Sequence, residues 1–201
     1  MLISSVIFSW LGLFLFLILI VIHKQLVSRN EYALIHTIMA LKFAFWMPLP
    51  IALYLYLDSS ILLAGTIFGL LYVFMQLITM TIQAGHNIFV IKQTSRDATF
   101  NATSDFLFAA ISKPFEAIAN VFKSIWSLFL GIAFWQSGEH VFASFMFLFS
   151  LLIIYYFALA VKESLLHSNT VLSKFKNNMI FTNLETLLLF ILLTTYITLH
   201  L

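Results

Sequence analysis

Gly65, Gly69, Tyr72, Gln76, Thr79, Gln83 and Asn87 follow one another at steps of four, three, four, three, four and four. Those increments keep all seven near one face of a helix. Gly65-Thr66-Ile67-Phe68-Gly69 is a GxxxG pattern, which lets a second helix approach closely in a membrane. Tyr72, Gln76, Thr79, Gln83 and Asn87 continue the face with hydroxyl and amide groups. Hydrocarbon cannot hydrogen-bond to such groups, so the face must meet protein or water. Helix packing glued by hydrogen bonds is the favoured reading. The lining of a polar pathway is the functional alternative.

Lys42 and Glu185 are the two charges that stand out within apolar segments. Each lies about two turns from an end of its run. An ionised group in a membrane costs ~2.5–3.5 kcal/mol on insertion scales. Pairing would reduce that cost and would make the two a coupling or proton-linked site. Against this stand a Lys42 side chain that snorkels to the interface and a static structural pair. Glu185 is too short to snorkel well.

No other chemistry is spelled out. The six histidines fall at margins or loops, except His36 near a span interior, and show no facing pair suited to haem. There is no HExxH, Walker loop, GxGxxG or GxSxG. The carboxylates are scattered, and cysteine is absent, which removes thiolate sites. Neither an enzyme, a cofactor nor a metal site is expected. Asn101-Ala102-Thr103 matches a glycosylation sequon, inert on the cytoplasmic side where it is placed.

The elements that must carry these residues are membrane spans. Of 201 residues, 62% are hydrophobic and only 9% charged. Soluble domains average about 25% charged residues, so lipid must be the solvent. A net charge of +2 spread over short loops lacks the concentrated basic face of a nucleic-acid binder.

The expected fold is an all-α integral membrane protein, one polytopic domain over 1–201. Six transmembrane helices form short-looped hairpins at 2–22, 34–57, 61–91, 118–135, 141–161 and 179–201. Pro48 and Pro50 kink the second. The third exceeds what a ~30 Å hydrocarbon core needs and should tilt or project. Every Lys and Arg except Lys42 falls on the first, third or fifth connection or its helix margins. Basic loops remain cytoplasmic, so the chain is N-out and C-out. The doubtful span is the fourth, because Lys123 lies in it. Without it Lys162, Lys174 and Lys176 would face outward, so six spans are retained. The N-terminus has no basic region before its apolar run, unlike a cleaved signal.

Residues before span 4 carry an amphipathic pattern. Leu107, Ile111, Phe115, Ile118, Phe122 and Ile125 mark one face. Asp105, Ser112, Glu116, Asn120, Lys123 and Ser127 mark another. This predicts a cytoplasmic interfacial helix, capped by Ser104 and broken or kinked at Pro114. It either packs on neighbouring spans or docks a partner.

The preferred function is a non-catalytic integral subunit or interaction protein of a larger membrane assembly, with the bilayer and other membrane subunits as partners. One alternative is a small transporter or channel using the polar stripe with Lys42 and Glu185. Another is a membrane-embedded immunity protein that blocks a toxin. A bacterial plasma (inner) membrane is the expected location.

Overall fold

The computed structural model describes residues 1–92, 98–165 and 170–200, without the side chains of 98, 99, 101, 107–109 and 111. Leu107 and Ile111 of the amphipathic pattern, the Asn101 side chain of the sequon, Arg96 and His167 therefore lie outside the described residues. Eight helices and one short 3-10 turn make up the described fold. They are α1 (Leu2–Ser28), α2 (Tyr32–Trp46), α3 (Leu49–Leu57), α4 (Leu62–Lys92), α5 (Ala98–Gln136), α6 (His140–Leu151), α7 (Ile153–Ser164) and α8 (Met179–Leu199). Taken as α1, α2–α3, α4, the Ser112–Gln136 part of α5, α6–α7 and α8, they supply six helices long and apolar enough to cross a membrane.

Two spans are interrupted, for different local reasons. Pro48 and Pro50 lack backbone N–H groups, so the ladder of α2 stops at Met47 and restarts as α3. In α6–α7 neither Pro nor Gly is involved. The Leu152 N–H donates to the Phe149 carbonyl at 3.2 Å, a tightened turn. The Ser150 hydroxyl donates to the Phe147 carbonyl at 2.7 Å, and such back-bonding bends helices.

The third and fourth spans pair along nearly their full length, and antiparallel. Partners run in opposite order: Gly65 faces Phe129, Gly69 faces Trp126, Gln83 meets Ser112 and Glu116, and Phe89 meets Phe100. α5 is one helix of 39 residues with Pro114 inside it. At ~1.5 Å per residue it extends ~58 Å, far beyond a hydrocarbon core. The interfacial helix and the fourth span are thus continuous, and Pro114 does not divide them. Ser104 does not cap the helix start. It lies within α5, its Oγ 2.9 Å from His86 Nε2 of α4.

The amphipathic face of α5 is turned inside out. Phe115 and Ile118 are exposed, whereas Ser112, Asn120, Lys123 and Ser127 are buried. In a membrane this is the stable orientation, since lipid takes the apolar groups and neighbouring helices take the polar ones. Because Pro114 leaves one carbonyl of α5 without its N–H partner, replacing it with Ala should raise the unfolding midpoint of the purified protein. A fall would show that packing depends on the proline ring itself.

An aromatic layer closes the bundle toward the end that carries its short turns, Asp58–Ser60 and Gln136–Glu139. Trp46 and Phe190 stack with centroids 3.7 Å apart and planes 9° apart. Trp126 lies 6.2 Å from Phe190, and Phe134 meets Tyr196 edge-on at 4.6 Å. Trp46, Trp126, Phe134 and Phe190 are wholly buried. Gly12 of α1 gives Trp46 its place, and the indole N–H donates to the Ser9 carbonyl at 3.2 Å. Below this layer, toward the end with the basic loops, α4 stays on α5 and α1 on α2, but a space opens between these pairs and α7–α8.

Candidate functional site

That separation forms a vestibule of about 870 Å³ among α1, α2, α4, α5, α7 and α8. Its mouth lies at the basic end, marked by His23, Lys113, Lys162, Glu163 and Lys176. One wall is apolar, from Phe16 and Leu19 of α1 and Ile35, Met39 and Phe43 of α2. The opposite wall is polar. It combines Gln76 and Gln83 of α4, Glu116 and Asn120 of α5 and Asn183 of α8. Tyr72, Tyr156 and Thr186 line the deep end. A chamber of this size matches small-molecule sites, which are largely apolar with a few placed polar groups.

Behind the deep end sits a buried ion pair. Lys123 Nζ of α5 donates to Glu185 Oε2 of α8 and, at 3.0 Å, to Thr186 Oγ1. The Tyr156 hydroxyl of α7 donates to the same Glu185 oxygen at 2.9 Å. Tyr72 of α4 places its hydroxyl 3.4 Å from Thr186 Oγ1. Four helices thus meet at one pair of charges. Lys123 is 0% and Glu185 5% exposed, so neither is a surface charge. The second carboxylate oxygen, Glu185 Oε1, is buried and has no hydrogen-bond partner among the described residues.

Lys42 is not Glu185's partner. The structure also removes the snorkelling option, because Lys42 is 0% exposed. Its Nζ lies 3.3 Å from the Phe16 ring centroid, 4.6 Å from Phe43 and 5.3 Å from Trp46. A desolvated cation held over aromatic faces gains about 2 kcal/mol or more. The geometry explains the failure to pair. Trp46 and Phe190 bring the second and sixth spans together at their ring layer. One turn away, Lys42 turns toward α1 while Glu185 turns toward α5 and α7.

The stripe on α4 divides into parts with different surroundings. A Cβ on Gly65 would lie 2.5 Å from Phe129 Cβ, and one on Gly69 2.7 Å from the Trp126 ring. The GxxxG face is therefore filled by α5 of the same chain. Thr79 is buried and donates to its own helix, to the Met75 carbonyl at 2.8 Å. Gln76 and Gln83 line the vestibule, and Gln83 Nε2 donates to Ser112 Oγ at 2.8 Å and Glu116 Oε1 at 2.9 Å. Asn87 lies at the margin, its amide nitrogen 3.1 Å from His36 Nδ1.

Sequence reasoning misses Lys123, Tyr156, Thr186 and Asn120 as site residues. In the sequence Lys123 counts as an obstacle to a fourth span and as one member of a polar helix face, not as a site residue. Its membership in the polar face of α5 is the available signal. Asn120 Nδ2 donates to the Glu116 carbonyl at 2.8 Å, which fixes the amide and leaves its buried Oδ1 without a partner among the described residues. Among the described residues, no three His, Asp or Glu side chains gather to hold a metal ion. Comparison with family models, curated proteins and solved structures finds no match.

Proposed function

We propose that this chain is a small, non-catalytic membrane carrier that admits a solute from the side of its basic loops. The observation that carries this reading is a vestibule whose deep end, Tyr156 and Thr186, hydrogen-bonds the buried Lys123–Glu185 pair lying behind it. A buried ion pair is costly to build and is weak evidence for stability. Intramembrane charges that adjoin a cavity commonly mark solute or ion paths. The Trp46–Phe190 layer serves as the closed gate on the far side, so the described state is open at one end only. The GxxxG face, a reason to expect partner subunits, is occupied within the chain, which favours the transporter alternative over an assembly subunit.

In this proposal the basic loops are cytoplasmic by the positive-inside tendency, both termini face outward, and the location is a bacterial plasma membrane. Tags near Ser28 and Ser173 should then report from the cytoplasm.

The absence of cysteine makes a direct test clean. Single variants Gln76→Cys, in the vestibule, and Thr194→Cys, buried in the aromatic layer one turn past Phe190, are reconstituted and exposed to a membrane-impermeant thiol reagent from each side. A carrier that alternates should react at position 76 from the basic side and, more slowly, at position 194 from the other. Reaction at position 76 alone would reduce the protein to a one-sided binding chamber. Reaction at neither would remove the vestibule as a solute path.

A further inference from the structure

Lys42 is a buried basic side chain with no counter-ion among the described residues. Its Nζ is wholly buried, and among the described residues it has neither a hydrogen-bond partner nor an ion pair. The nearest candidate from the sixth span, Glu185, is already engaged by Lys123 and Tyr156. Glu116 is engaged by Gln83. What separates Lys42 from the vestibule is a pair of rings. Phe16 and Phe43 both line the chamber and both lie against the ammonium. At the mouth, Lys113, Lys162 and Lys176 outnumber Glu163. A narrow opening lined by one sign of charge concentrates ions of the other sign. Charge at the mouth therefore favours an anion; on the polar wall Glu116 opposes one but is held by Gln83, and the α1–α2 wall favours an apolar body.

We propose that the vestibule takes a hydrophobic organic anion, whose apolar body lies on the α1–α2 wall and whose acidic group meets Lys42. The aromatic cage holds the ammonium in the empty state. The bound anion replaces the Phe16 ring as its neighbour. This proposal rests on the vestibule being a solute chamber, and it adds the charge of the solute and the residue that reads it.

Three probes with one apolar body and different heads separate the two ideas: 2-naphthoate, 2-naphthylmethylammonium and 2-naphthylmethanol. Binding is measured calorimetrically on the full chain in phosphatidylcholine nanodiscs, with empty nanodiscs as the reference. Naphthoate should bind at least ~10-fold tighter than the other two, a difference of about 1.4 kcal/mol. Lys42→Met should erase that preference, and Lys42→Arg should keep most of it. Ala117→Trp, which fills the chamber, should weaken all three. If the heads bind alike and Ala117→Trp still weakens them, the chamber stands and the anion proposal falls. That proposal falls equally if naphthoate is preferred but Lys42→Met leaves the preference intact. Should no probe bind above empty nanodiscs, or should Ala117→Trp change nothing, the chamber itself is refuted. The comparison of heads on the unaltered protein decides the question even if Lys42→Met fails to fold.

Discussion

Glu185→Gln and Lys123→Met are each expected to lower the unfolding midpoint sharply, and the double replacement to recover most of the loss. The reason lies in what each single change leaves behind. Removing one partner of a buried ion pair strands the other in a medium that cannot solvate it, at a cost of ~3–5 kcal/mol. Glu185→Gln strands the Lys123 ammonium in the same bundle as the buried, unpartnered Nζ of Lys42. Lys123→Met strands a carboxylate whose other oxygen already lacks a partner among the described residues, with Tyr156 alone still donating to it. In the double variant no net charge is buried at the site, and the introduced amide oxygen still offers Tyr156 an acceptor. A thermal-unfolding double-mutant cycle in one detergent measures the coupling. Simple additivity would dismiss the pair as an energetic unit. The double variant also separates scaffold from mechanism. If the pair only holds helices together, labelling at Gln76→Cys and Thr194→Cys persists in that background. If it takes part in transport, the far-side reaction at position 194 is lost while the protein remains folded.

The sequence is most informative where one helix meets lipid and least where three or four helices meet each other. Six spans follow from hydropathy, and the ends of α2–α3, α4 and α8 lie within a few residues of the expected boundaries. The Pro48–Pro50 interruption follows from missing N–H groups. Leu152 has no comparable signal, since neither Pro nor Gly marks the break and Ser back-bonds like that of Ser150 also occur inside unbroken helices. Polar faces on α4 and α5 are legible separately through their periodicity. Their mutual registry, with Gln83 on Ser112 and Glu116, is not. The choice of Lys123 over Lys42 as Glu185's partner depends on helix rotation and on the Trp46–Phe190 stack. Neither is written in any single segment. The vestibule is further removed still, because it is the space left where helices diverge.

Gly69→Ala should destabilise the fold measurably, and Gly65→Val with Gly69→Val should prevent native packing of α4 on α5. The built Cβ at Gly69 meets the Trp126 ring at 2.7 Å. That ring is wholly buried and lies against Phe190, so it has no free direction in which to retreat. At Gly65 the obstacle is Phe129 Cβ, an atom next to the main chain, which no rotamer change moves. Overpacking of this kind costs about 1–3 kcal/mol per site. Gly85 supplies the control on the same helix, since nothing lies within 4 Å of its built Cβ. Gly85→Ala should be neutral or slightly stabilising, as helix propensity favours Ala over Gly by about 1 kcal/mol. A compensating change makes the argument specific: Trp126→Leu opens space beneath Gly69 and should restore part of what Gly69→Ala loses. Unfolding midpoints and the oligomeric state by light scattering are read on each variant. A GxxxG face used between chains would give the opposite pattern, in which Gly69→Ala shifts the oligomeric state, leaves the midpoint in place and gains nothing from Trp126→Leu.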